Sequence, residues 1–269
     1  VGLLFSSFLL RKIILKRPVH MGSYPTELLK RGPMPDLNKV PSMEAISFHR
    51  PGAPESIVNA MCEYQAMLDA IRDGFINKAK GEIPTDELER TNHLKAFGYF
   101  SDAAMVGVCS ISESNILSRP IKNPHIAPLA EALRTRQTKT LASGIDMIMA
   151  DLKESMEAPP TTIGGHTHAI VFLYENPREI KANEPGTDWL NNALKHRACL
   201  RANETSAVIA NYIRLLGYDA KSHSGAASDV DLNQLAVAAG LAWVHNGELV
   251  APYVGVNFGL AVVTCEIDL

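Results

Sequence analysis

No two of the four cysteines, Cys62, Cys109, Cys199 and Cys265, stand close enough in sequence to make a C-x-x-C pair. That spacing disfavours an iron–sulfur cluster or structural zinc held locally, because such sites draw several thiolates from short intervals. So sparse a set gives no disulfide framework either, which reads as a reducing compartment. There is no surplus of basic charge. The formal net charge is −3, which argues against nucleic acid as a main partner. No G-x-G-x-x-G and no Walker lysine occur, so a dinucleotide or P-loop reading fails. Internal repeats and low-complexity tracts are missing too. No apolar run is long: "VGLLFSSFLL" gives ten apolar or small residues before Arg11, Lys12, Lys16 and Arg17, and a bilayer span needs about 20.

What is present is ordinary for a folded domain. Of the 269 residues, 46% are hydrophobic and 20% charged, enough to build a core. Residues 1–17 have two readings. One is the end of a transmembrane helix whose first half is missing, with its basic flank facing the cytoplasm. The other is a plain N-terminal helix. The first residue is Val1, and the last stretch, "LAVVTCEIDL", reads as a strand with no tail. Both ends read as cut, so a longer parent protein is expected. Residues 18–56 carry too many prolines and glycines for regular structure and read as an extended lead-in. Residues 57–269 read as a single domain.

Within that domain, Ile57, Met61, Tyr64, Leu68, Ile71 and Phe75 recur at helical steps. A second helix starts after Pro84 and Thr85 and stops near Gly98. Ala103–Ile111 reads as a buried strand. A short helix opens at Leu129 and Leu133, and Leu141, Ile145, Ile148, Leu152 and Met156 predict a long amphipathic helix ended by "APP". "HAIVFLYE", from His168 to Glu175, is the clearest strand. A helix then runs from about Asn191 to Leu216, with Gly217 as its C′ residue and Tyr218 placed for the contact that follows. Asp219–His223 reads as a short strand. A helical face of Leu232, Leu235, Ala236 and Ala239 is capped by Ser228 or Asp229 and closed by Gly240. The last strand is about Phe258–Ile267. Helices alternating with apolar strands give an α/β or α+β class around one sheet.

The chemistry-bearing residues are thinly spread. His166 and His168, two apart, would share a strand face and offer two metal ligands, or else sit as edge histidines. Cys199 neighbours His196 and Arg197, which would favour a thiolate; the plain reading is a half-buried helical cysteine. Asp146, Asp151, Glu154 and Glu157 read as a solvated helix face. Asp229 and Asp231 flank a helix start, where capping accounts for at least one. His20 and His49 read as solvated loop residues. The stretch "GLAWVHNGELVAPYVGVNFG" supplies glycines that either let a flat cofactor approach the backbone or serve turns.

The C-terminal third carries a resemblance. "AVIANYIRLLGYDAKSH" followed by "DVDLNQLAVAAGLAWVHNGELVAPYVGVNFGLAVVTCEIDL" resembles the cobalamin-binding core of reductive dehalogenases, a pattern shared by epoxyqueuosine reductases. "FGYFSDAAMVGVCSIS" is similar to the family's strand entering that core. "RPVHMGSYPTELLKR" resembles the start of the catabolic, non-Tat branch, which often follows a membrane segment. The resemblance runs from about Arg17 to Leu269, and the order of its motifs is its main strength. It implies a nitroreductase-like α/β (α+β) sandwich. It implies a parent protein that reductively removes halide from an organohalide, using cobalamin and two [4Fe–4S] clusters on a ferredoxin-like module.

The chain also departs from the family. Where the resemblance places the proton-donating tyrosine, the sequence reads "HRACLRAN", with Cys199 nearest. The glycine–arginine pair is His245–Asn246, and the tyrosine–glycine–proline step reads "YVGVN". No ferredoxin cysteines occur. One branch of the family carries two copies of this fold in tandem, the first degenerate and packed against the catalytic second. The resemblance therefore implies an N-terminal accessory copy with no catalytic residue, no metal and no cofactor of its own. Its partners would be the downstream catalytic and ferredoxin-like domains, with an organohalide as the whole protein's substrate. It would lie in the cytoplasm or on the cytoplasmic face of the inner membrane. Two alternatives stand beside it: the cobalamin core itself, with Asn246, Gly247, Gly255 and Asn257 against the corrin, or a non-enzymatic binding module of the same fold.

Overall fold

The computed structural model describes residues 57–128, 131, 162–177, 181, 183–184, 186–190 and 193–269. The lead-in, the N-terminal apolar run and the amphipathic stretch at 141–156 lie outside the described residues. Among those described, no helix is long and apolar enough to cross a membrane.

The elements follow the chain as α1 (Ile57–Ala70), α2 (Glu87–Phe100), β1 (Met105–Ser110), β2 (Ile116–Ile121), β3 (His168–Glu175), α3 (Thr187–Leu190) and α4 (Leu194–Leu215). Then come β4 (Ala220–Ser224), β5 (Ser228–Val230), α5 (Leu232–Ala238), β6 (Trp243–His245), β7 (Glu248–Val250) and β8 (Phe258–Cys265). Four strands form one sheet in the order β1-β3-β8-β4, and every pairing is antiparallel. Two further ribbons, β2 with β5 and β6 with β7, stand beside the one sheet expected from the sequence. β5, β6 and β7 have three residues each, too few for a period to show, and β2 is almost wholly exposed.

β3 explains why its sequence is apolar throughout. Ile170, Phe172 and Tyr174 enter the core on one face, with Ala202, Ile209 and Ile213 of α4. Ala169, Val171 and Leu173 enter the core on the other, with Leu235 and Ala236 of α5. The period of two delivers alternate side chains to opposite layers, and both layers are dry. Burying each large member contributes roughly 1.5–3 kcal/mol.

Helix termini follow local chemistry. α4 ends in a Schellman motif: Gly217 adopts φ +86, its N–H donates to the Arg214 carbonyl, and Tyr218 N–H donates to the Ile213 carbonyl. That is the geometry expected of Gly217 at C′. The cap of α5 is Asp231, whose side chain accepts from Asn233 and Gln234 N–H. Ser228 and Asp229 sit instead in β5, because Asp229 is drawn into a buried ion pair. Asp231→Ala is expected to lower stability by about 1 kcal/mol, read as a shift in the urea midpoint at constant m.

Two helices differ from their periodicity. α1 stops at Ala70, so Ile71 and Phe75 lie beyond it. Its buried residues are Ala66, Asp69 and Ala70, while Ile57 and Tyr64 of the apolar stripe are exposed. A hydrogen-bonding demand on Asp69 orients this helix. In α2, Gly98 does not end the helix but faces the sheet, where an added Cβ would lie 2.7 Å from Val106 Cγ2. The helix starts at Asp86, whose side chain accepts from Leu88 N–H.

Candidate functional site

The densest chemistry lies where no motif pointed. All five residues of β4, "AKSHS", are buried. Lys221 is 1% exposed and His223 fully buried. Lys221 Nζ lies 3.0 Å from Asp229 Oδ2 and 3.5 Å from Asp73 Oδ2, and Arg72 Nη2 lies 3.0 Å from the same Asp229 oxygen. Arg214, also buried, donates to the Ala220 and Arg72 carbonyls and feels Asp73 and Asp219. Three cations thus face three carboxylates. Burial of charge is tolerable only with such compensation.

The two histidines of this region are linked by one hydroxyl. His223 Nδ1 accepts from Asp229 N–H at 3.2 Å, so its ring proton sits on Nε2. Nε2–H then donates to Thr264 Oγ1 at 2.8 Å. Thr264 O–H is left to donate to His166 Nδ1 at 2.7 Å. His166 Nε2 lies 3.3 Å from Asp219 Oδ2, in an alignment that falls short of a hydrogen bond. Burial, then the Arg72 and Lys221 charges, hold His223 well below the usual histidine range. On the α4 side of β4, Asp69 accepts from Asn123, Asn203 and Ser224, each at 2.8 Å. Burial raises its carboxyl despite these donors.

The glycine-containing stretch near residue 250 folds into turns. Asn246 (φ 51) and Gly247 (φ 83) make the two-residue turn between β6 and β7, where Asn–Gly supplies the required left-handed pair. Ala251 and Gly255 exchange two 2.9 Å backbone hydrogen bonds around a second turn. That turn holds Tyr253 at φ 65, fully solvent-exposed, a strained setting for an aromatic residue. Asn257 accepts from Asn176 N–H through its carbonyl.

The remaining candidates separate. His166 precedes β3 and is buried, while His168 opens the strand and meets Thr167 and Asp268; the pair does not share a strand face. Cys199 lies on α4, but burial raises its thiol, and the nearby Lys195 charge only partly offsets that. His196 turns instead to Cys62, 3.8 Å away. Cys109 and Cys265 donate to the Leu235 and Ile267 carbonyls, and burial pushes their thiols up to about 11 and about 12. Among the described residues no three His, Cys, Asp or Glu side chains converge as a metal site. A cleft of about 240 Å³ lies between α2 and α4, lined by Phe97, Ser101, Arg201, Glu204, Thr205 and Val208. Arg201 is already paired with Asp102 at 2.7 Å.

No family model and no curated protein matches the chain. Solved structures do. The catabolic reductive dehalogenase NpRdhA superposes with a TM-score of 0.59 and 30% identity, over 80% of this chain and 25% of that one. A dehalogenase whose structure suggests a mechanism for B12-dependent dehalogenation gives 0.60 and 29%, over 81% and 25%. NpRdhA in complex with 3-bromo-4-hydroxybenzoic acid gives 0.58 and 30%, over 80% and 24%. This chain is related to a part of the reductive dehalogenases.

It spans about a quarter of the length of those dehalogenases. The Leu216–Gly217–Tyr218 and Ala239–Gly240–Leu241 steps both fall at helix ends. Both are helix stops that the fold needs: Gly217 and Gly240 adopt φ +86 and +70. The dehalogenase cofactors fit this chain poorly. Turn geometry fully accounts for Gly247 and Gly255, and Asn246 is used by the hairpin. The cysteines occupy separate environments and stay protonated, whereas cluster ligation requires converging thiolates.

Proposed function

We propose that this chain is the N-terminal accessory copy of a nitroreductase-like fold in a cobalamin-dependent reductive dehalogenase. The parent protein would remove halide from an organohalide, with cobalamin and two [4Fe–4S] clusters held by its remaining part. This copy would border the substrate entrance and supply no proton and no electron. It would lie in the cytoplasm, or on the cytoplasmic face of the inner membrane if residues 1–17 end an anchor.

The observation that carries this reading is Cys199. It is the nearest residue, within "HRACLRAN", to where the family resemblance places the proton-donating tyrosine. Its thiol is raised by burial, and an added Cβ at Gly259 would meet its backbone nitrogen at 2.5 Å. Strand–helix packing at Gly259 fixes the backbone here, and the Cys199 thiol is half-buried and made less acidic by burial. The hairpin in place of the glycine–arginine loop supports the same reading.

Anaerobic titration of the chain with cob(II)alamin, followed by absorbance and calorimetry, tests it. The expected result is no saturable spectral shift and no heat of binding. Stoichiometric binding would overturn the accessory reading. It would make this chain the cobalamin core and direct mutagenesis to Asn246, Gly247, Gly255 and Asn257.

A further inference from the structure

β5 is a three-residue strand whose middle residue holds the buried cluster together. Asp229 gives its carboxylate to Arg72 and Lys221 and its N–H to His223. We propose that the His166–Thr264–His223 relay is an acid latch on β5: a proton taken up by His223 expels the Asp229 amide and frees the strand.

The geometry leaves no alternative place for that proton. Nε2 of His223 already carries one, so the newcomer must go to Nδ1, where Asp229 N–H is the donor. Two donors would then face each other, and the one carboxylate oxygen near that nitrogen, Asp229 Oδ2 at 3.8 Å, is already held by Arg72 and Lys221 at 3.0 Å. Rotation of the ring would break the bond to Thr264, whose hydroxyl is committed to His166. The charges facing His223 come from every packed element. Arg72 and Asp73 come from the segment after α1, Lys221 from β4 itself, Asp229 from β5 and His166 from the turn before β3. Arg72, Lys221 and Arg214 already balance Asp73, Asp219 and Asp229, so an added proton leaves this cluster one charge in excess. Opening β5 to water removes both the clash and the excess.

The sign follows from the neutral folded state. A histidine held neutral in the closed state and free to titrate when open contributes stability above its ordinary pKa of about 6.5. That stability is lost as pH falls below this value. One such proton weakens closure about tenfold between about pH 7.5 and pH 5.5. The carboxylates of the cluster in the open state titrate below this window, near about pH 4.

Amide hydrogen exchange on the whole 269-residue chain, corrected for intrinsic rates, reads the latch at Ser228–Val230. Protection there is expected to fall about tenfold from about pH 7.5 to pH 5.5. His223→Gln, neutral throughout, is expected to show no such fall. A wild-type strand whose protection is unchanged, or a glutamine variant that keeps the full drop, overturns the proposal. If that variant does not fold, the ring nitrogen shifts of wild-type His223 decide. A neutral Nε2–H tautomer at both pH values supports the latch, and a charged folded ring at the lower pH refutes it.

Discussion

Gly259→Val is expected to destabilise the domain by about 3 kcal/mol or more. A Cβ built at Gly259 lies 2.5 Å from Ala198 C and Cys199 N and 2.7 Å from the Ala198 carbonyl oxygen. All three are main-chain atoms of α4, so no side chain can swing aside. α4 meets the sheet here through Ala198 and Ala202, which are 1% and 0% exposed. Small residues on the helix and glycine on β8 together bring the two backbones close. Urea denaturation of the variant beside Gly225→Ala separates this effect from a general cost of replacing glycine. A Cβ at Gly225 meets nothing within 4 Å, and its midpoint is expected to move little. A Gly259→Val midpoint equal to that of the Gly225→Ala control would refute the close approach.

Lys221→Met is expected to cost about 3–5 kcal/mol. Removing one ammonium from the cluster strands negative charge in a site where Lys221 is 1% exposed. The methionine stem replaces the packing, so the loss is electrostatic. The coupling has a signature. In the Lys221→Met background, Asp73→Asn restores charge balance while its side-chain oxygen still accepts Gly74 N–H. The double variant is therefore expected to be more stable than Lys221→Met alone, and a double-mutant cycle measures the difference. Additive losses would mean that Asp73 and Lys221 do not share one balanced cluster.

The sequence made legible whatever rests on local pattern. β3 was readable because both of its faces are dry, so its residues are apolar without interruption. The α4 terminus was readable because a Schellman motif demands glycine at one position. β4 was readable only as a weak strand, since its two polar rows, Lys221 and His223 on one side and Ser222 and Ser224 on the other, look like a solvated segment. Their partners lie far off in the chain: Arg72 precedes Asp229 by 157 residues, and no short-range spacing records such a pair. The same cause misdirected α1. Its apolar stripe promised the buried face, yet Asp69 turns inward to collect three donors. Of the site candidates, Gly247 and Gly255 were legible as turn glycines, whereas Asn246 was read only as a corrin contact and proves to share the β6–β7 turn. His223 and Thr264 were not legible, because a buried hydroxyl relay leaves no mark on hydropathy.

β8 lies between β3 and β4, although it follows both in the chain. During synthesis, β1 and β3 can pair as soon as they emerge, and α4 can form beside them. β4 has no sheet partner until residues 258–265 arrive. Until then the growing chain exposes the apolar edge of β3 and the charged face of β4 together. Ribosome-bound or truncated chains that end before Phe258 would thus be clients for chaperones, while a few residues more close the sheet in a single late step.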